Sequence, residues 1–180
     1  MLTKAVRISN RRKVVLMLGG NIGNMGKSEA IEFCCKLFEK LSPGDLVIMG
    51  FDLKKNPRKI LDAYNDSKGV TAEFNLNLLS RINRELNADF SLENFEHYQT
   101  YDPVSGECKS YLVSLEKQQV KQNNNVYHFE KDEVIFMEVS RKFEVKEIEQ
   151  LAQQSRFICT DFIFDSKEWF SDVVWKVTQS

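Results

Sequence analysis

The stretch from Val14 to Asp52 constrains the fold more than any other part of the chain. Val14-Val15-Leu16-Met17-Leu18 is a short continuous apolar run stopped by Gly19-Gly20, the form of a strand buried in a parallel sheet. From Ser28 to Leu41, the residues Ala30, Cys34, Leu37, Phe38 and Leu41 recur at steps of three and four, which lines one face of a helix. Ser42-Pro43-Gly44 ends that helix, and Leu46-Val47-Ile48-Met49-Gly50 reads as a second buried strand ending at Phe51-Asp52. Strand, helix, strand requires a crossover, so the two strands are expected to be parallel neighbours with a right-handed connection. The class is α/β.

Asn56-Pro57 opens a short helix to about Tyr64, and Gly69 separates it from a longer helical pattern carrying Val70, Phe74, Leu78, Leu79, Ile82 and Leu86. From about Phe95 to Phe143 the period changes to strands, with turns at Asp102 to Gly106 and at Lys121 to Asn125. A last amphipathic helix from Val145 to Gln154 leads to two runs, Phe157 to Phe164 and Trp169 to Val177, that suit an antiparallel hairpin. The aromatics Trp169, Phe170 and Trp175 read as core of that hairpin.

A formal net charge of -1 gives no general attraction to phosphate backbones or anionic lipid, which argues against nucleic acid and membrane surfaces as partners. Met1 to Lys13 holds no apolar stretch of signal-peptide length, and no run approaches a membrane span, so a cytoplasmic location is expected. Cys34, Cys35, Cys108 and Cys159 read as reduced packing residues. His97 and His128 are the only histidines and no C-x-x-C or H-x-x-x-H spacing occurs, so no metal site is expected.

The glycines Gly19, Gly20, Gly23 and Gly26 lie where a strand gives way to a helix, a place where backbone amides meet anions or polar ligands. Their spacing fails G-x-G-x-x-G, because position 18 is Leu. Gly26-Lys27-Ser28 matches the end of a phosphate loop, and Asp52 ends the next strand as a magnesium-holding Asp would. The first glycine is one residue too far away, however, which makes nucleotide hydrolysis a minor alternative. Glu138 and Ser140 share one face of a strand and together could grip a planar polar ring, although on spacing alone a solvated sheet face explains them better. Asn24 and Tyr64, taken singly, read as local caps or turn residues.

Leu18-Gly19-Gly20-Asn21-Ile22-Gly23-Asn24 strongly resembles the segment that closes the fourth strand of histidine-specific S-adenosylmethionine (SAM)-dependent methyltransferases. Further blocks resemble the same family in order, among them Phe51-Asp52-Leu53-Lys54-Lys55, Ala63-Tyr64-Asn65-Asp66, Gly69 to Asn75, Phe95-Glu96-His97 and Glu138 to Phe143. The resemblance implies the C-terminal part of a class I methyltransferase Rossmann-like sheet, residues 1–94 and 144–180, interrupted by an antiparallel β-rich substrate-domain insertion over 95–143. It implies N-methylation of the α-amino group of histidine or a related amino acid. Asn24 and Tyr64 would hold the substrate's carboxylate end, Glu138 and Ser140 its imidazole, and Gly19 and Gly20 would face SAM. The family's N-terminal helical region, its glycine-rich cofactor loop and its ribose-binding acid have no room in the thirteen residues before Val14. The chain is therefore expected to be truncated, unable to bind cofactor alone, and either self-associating or paired with a missing N-terminal half. A non-catalytic amino-acid-binding remnant is the other alternative. Ser110 stands where ergothioneine-pathway enzymes carry a larger apolar residue in the pocket wall.

Overall fold

The computed structural model describes residues 11–66 and 68–178, so the leader expectation for the first ten residues lies outside it. In chain order the elements are β1 (Val14–Met17), α1 (Lys27–Phe38), β2 (Leu46–Asp52), α2 (Pro57–Tyr64), α3 (Val70–Leu86), β3 (Phe95–Tyr101) and β4 (Glu107–Ser114). Then come β5 (Gln118–Gln122), β6 (Asn125–Phe129), β7 (Val134–Arg141), α4 (Val145–Gln154), β8 (Phe157–Phe164) and β9 (Phe170–Val177).

The chain divides into two compact units. The first comprises Met1–Lys55, Val104–Gly106 and Val139–Ser180, and the second Asn56–Pro103 and Glu107–Glu138. α2 and α3 fall in the second unit together with β3, β5 and β6.

In the first unit four strands lie in the order β1-β2-β9-β8. β1 and β2 are parallel, with Val14 opposite Leu46 and Met17 opposite Met49, as the crossover argument requires. β9 is antiparallel to both of its neighbours, so β8 runs in the direction of β1 and β2 and the last strand is the reversed one inserted between them. Alternation sends Val47, Met49 and Phe51 of β2 and Val173, Trp175 and Val177 of β9 to one face, where they pack on Ala30, Cys34 and Leu37 of α1 and Ile148, Leu151 and Ala152 of α4. Trp175 is fully buried, with ring centroids 5.8 Å from Phe51 and 5.4 Å from Phe157. Burial pushes the Cys34 thiol up to about 12 and Cys159 to about 11, which keeps both as inert thiols, and all four cysteines are free.

Three expectations are corrected. β1 is not buried on both faces: Val14 is 52% and Leu16 61% exposed, because among the described residues β1 is an edge strand and the helices cover only the opposite face of the sheet. On α3 the inward residues are Asn75 and Leu79, while Phe74 is 72% exposed and Val70 and Leu78 also face outward, so the helix is rotated from the face its larger apolar residues suggest. Trp169 is not core; it is half-buried, with the amines of Lys55 and Lys167 over its ring at 5.3 and 4.8 Å.

β3, β4 and β7 form a three-stranded sheet in that order, with β7 belonging to the second unit up to Glu138, and β5 pairs with β6. β3 and β4 are antiparallel, with His97 opposite Leu112. Leu79 of α3 packs on Phe95 and Leu112, and Ile82, Phe90, Phe129, Ile135 and Met137 complete that core. Among the described residues no helix is long and apolar enough to cross a membrane, and no group of three or more His, Cys, Asp or Glu side chains is placed to hold a metal ion.

Candidate functional site

Parallel β1 and β2 bring their carboxyl ends to one edge of the first unit, where ligands of open α/β sheets sit. β1 runs into Gly19 and Gly20, both left-handed with φ of +79° and +73°. A Cβ on Gly19 would meet nothing within 4 Å, so space is open beside this backbone, while at Gly20 it would lie 3.7 Å from the Phe170 ring. The following 3-10 turn, Asn21–Asn24, is anchored by fully buried Ile22. It presses so closely on β7 that a Cβ on Gly23 would stand 2.6 Å from the Arg141 carbonyl oxygen. Asn24 is left exposed at the end of this turn.

At the end of β2, one Asp52 oxygen accepts from Lys55 Nζ at 2.7 Å and the other pairs with Lys142 Nζ at 2.8 Å. Lys142 is buried and also donates to Ser140 Oγ at 2.8 Å. Both Asp52 oxygens are thus held by cations. The Gly26 amide donates to Glu29 Oε2 at 2.8 Å, so the Gly26-Lys27-Ser28 segment is a capped helix start. Neither feature speaks for the nucleotide-hydrolysing alternative, since the Asp that would hold magnesium and one amide of the cradle are both engaged within the chain.

In the second unit Tyr64 is the last residue of α2, and α3 begins six residues later. Asp66 sets that start by accepting from the Val70 and Thr71 amides at 3.0 and 2.9 Å, which holds its carboxyl down to about 2. Its folded pKa lies below the ordinary value, so the stabilisation it gives is present above about pH 4 and lost as pH falls toward 2. Amide exchange at Val70 and Thr71 is expected to accelerate across that window, and an Asp66→Asn variant should remove the transition.

α3 supplies Phe74, Asn75, Leu78 and Arg81, and β7 supplies Met137 and Glu138, to the wall of a cavity of about 190 Å³. Glu138 is exposed and its carboxylate makes no hydrogen bond or ion pair among the described residues. Asn75 is 3% exposed, and its Nδ2 is buried with no hydrogen-bond partner. His97 Nε2 is likewise buried and unpartnered; burial lowers the ring's pKa, with the Glu138 charge acting the other way. Ser110 is buried on β4. Of the residues singled out by sequence, Asn24 and Ser140 belong to the first unit and Tyr64 and Glu138 to the second.

Residues 2–177 match the histidine-specific, SAM-dependent methyltransferase family. The chain belongs to that family. It is 39% identical over 110 residues to histidine N-alpha-methyltransferase of Mycolicibacterium smegmatis, covering 61% of this chain and 34% of that protein. To histidine N-alpha-methyltransferase of Mycobacterium tuberculosis it is 34% identical over 134 residues, covering 73% of this chain and 42% of that protein. This family member thus spans about a third to two fifths of the length of those relatives. The CcbJ methyltransferase from Streptomyces caelestis aligns over 95% of this chain and 63% of its own, at 11% identity and a TM-score of 0.49.

Asn75, His97 and Lys142 carried no site assignment in the sequence. For Asn75 a signal existed: it sits four residues before Leu79, so a polar residue occupies the inward line of α3. Lys142 gave none, since a lysine ending a strand is ordinarily solvated.

Proposed function

We propose that this chain provides the acceptor-binding part of a SAM-dependent N-methyltransferase that modifies the α-amino group of histidine or a related amino acid. SAM would supply a methyl group on a sulfonium. Gly19 and Gly20 would face it, because the open space beside the Gly19 backbone at the carboxyl end of β1 fits a ligand approaching the main chain. Asn24 and Tyr64 would take the substrate's carboxylate end, and Glu138 with Ser140 its imidazole. Their work is alignment and exclusion of water, so that a neutral amine meets the methyl group in line.

The observation that carries this reading is Glu138: a carboxylate without a partner on the wall of a cavity in a family specific for histidine. Such a group selects a ring with an N–H over an apolar side chain, which would leave it desolvated and unpaired. Calorimetry with L-histidine is expected to show binding that weakens about 10- to 100-fold in Glu138→Ala, the value of a hydrogen bond to a charged group. Unchanged affinity in that variant removes the imidazole assignment.

Two features support a donor pocket completed by other polypeptide. The relatives extend well beyond the matched region, and among the described residues β1 has no strand on its outer side, with Val14, Leu16 and Leu18 exposed. The chain on its own is expected to bind SAM feebly and to self-associate through the β1 edge, with Leu16→Lys shifting sedimentation toward monomer. Tight SAM binding by a monomer refutes this part of the reading.

A further inference from the structure

We propose that the outward face of α3 is a self-association surface: a second copy of the chain packs across it antiparallel, and the Phe74 ring of each copy fills the apolar cavity beside Ile82 of the other. The surface lies within the second unit and is independent of the ligand assignments above.

α3 carries two apolar lines. Leu79, with the inner side of Ile82, serves the core of its own unit. Phe74, Leu78 and Ile82 form a second line at steps of four, along which Phe74 is 72% exposed, Leu78 is exposed and Ile82 is half-buried. A surface helix ordinarily gives its outward side to polar residues, so an aromatic ring left that far out in water marks a contact. Beside the same line lies a cavity of about 430 Å³, walled by Leu78, Ile82 and Leu86 of α3 with Tyr127, Phe129 and Val134. Among the described residues none with a charge lines it, so it suits an apolar occupant.

The register selects a second copy as that occupant. Rows of residues four apart are the ridges that interlock in the commonest helix pairing, and Leu78 stands four residues from both Phe74 and Ile82. A twofold axis at Leu78 therefore sets Phe74 of one copy against Ile82 of the other, and the reverse, so knob and hole meet twice. Charge permits the approach: Arg81, next to this line, is paired with Glu85 at 3.4 Å, so two copies bring no net like charge together there. An interface of one helix and one cavity from each copy is on the order of 1,000 Å² in all, enough for a reversible dimer and too little for a permanent one.

Sedimentation tests this on the full chain carrying Leu16→Lys, which takes the β1 edge out of play. As concentration rises to the millimolar range, that variant is expected to pass from monomer to dimer. Adding Phe74→Glu should raise the dissociation constant at least about tenfold, the cost of a lost aromatic anchor. Phe74 lies largely in water in the single chain, so this change should leave the melting temperature of the monomer unaltered and read the interface alone. Oxidation of Leu78→Cys should give a disulfide-linked dimer that the parent chain does not form, because the axis brings the two copies of that position together. Fluorescence of an anilinonaphthalene sulfonate dye in the cavity is expected to fall as the dimer forms. A monomer throughout the range, which would leave the cavity to a different chain, overturns the inference. So does a dimer indifferent to Phe74→Glu, a Leu78→Cys dimer that does not crosslink, or dye binding unaffected by dimerisation, which would show a cavity open to small apolar molecules.

Discussion

Alanine at Gly106 is expected to lower stability by about 2–5 kcal/mol, seen as a fall in the urea midpoint with an unchanged slope. Two effects add. Gly106 has a φ of +75°, a left-handed conformation that costs a residue with a Cβ roughly 1–2 kcal/mol. The added atom would also lie 2.2 Å from the Lys142 carbonyl oxygen and 2.8 Å from Lys54 Cε. Neither neighbour gives way cheaply. The Lys142 amide donates to the Gly106 oxygen at 2.7 Å, and Lys54 Nζ is tied to Glu144 Oε1 at 3.0 Å and to the Val104 oxygen at 2.9 Å. Overpacking of that kind adds about 1–3 kcal/mol. Gly69 isolates the first effect, since its φ is +72° but a Cβ there would meet nothing within 4 Å. Gly69→Ala should therefore cost only the conformational part, and equal losses at the two positions would show that the contact with Lys142 carries no energy.

What could be read from residue order was whatever depends on neighbours along the chain. The β1-α1-β2 crossover, the α4 span and the β8-β9 hairpin follow from apolar period and turn residues, and each lies where those signals place it. The burial of β1 and the rotation of α3 did not follow. A strand's second face is decided by what covers it, and periodicity is blind to that, so the run Val14 to Leu18 reads the same at a sheet's edge as at its centre. On α3, Phe74 and Leu78 outweigh Asn75 in any apolar count, yet Asn75 is the enclosed one. Family resemblance supplied Glu138 and Ser140 where spacing favoured a solvated face. It said nothing of the Lys142 amine behind Ser140, whose meaning comes from a contact with Asp52, ninety residues earlier.

Asparagine in place of Asp52 is expected to cost about 3 kcal/mol, considerably more than methionine in place of Lys142. The asymmetry comes from which charge remains behind. Lys142 has a side chain only 3% exposed, and Asp52→Asn takes away the carboxylate 2.8 Å from its amine, so an ammonium stays in surroundings that water hardly reaches. Lys142→Met leaves Asp52 instead, which is about a third exposed and keeps Lys55 at 2.7 Å. That variant loses the pairing with Asp52 and the hydrogen bond to Ser140, each worth about 1 kcal/mol net, and it relieves the desolvation of a buried cation. The double variant should consequently be more stable than Asp52→Asn alone, with a coupling of about 2 kcal/mol in a denaturant-melt cycle. Additive losses would mean that Lys142 draws its compensation from elsewhere. The same cycle bears on the acceptor site, because Lys142 is also what holds the Ser140 hydroxyl. If Lys142 bears on the ring only by holding Ser140, then Ser140→Ala weakens histidine binding at least as much as Lys142→Met, and the pair together no further than Ser140→Ala alone. An additional loss in the pair assigns Lys142 an effect on binding that does not pass through Ser140.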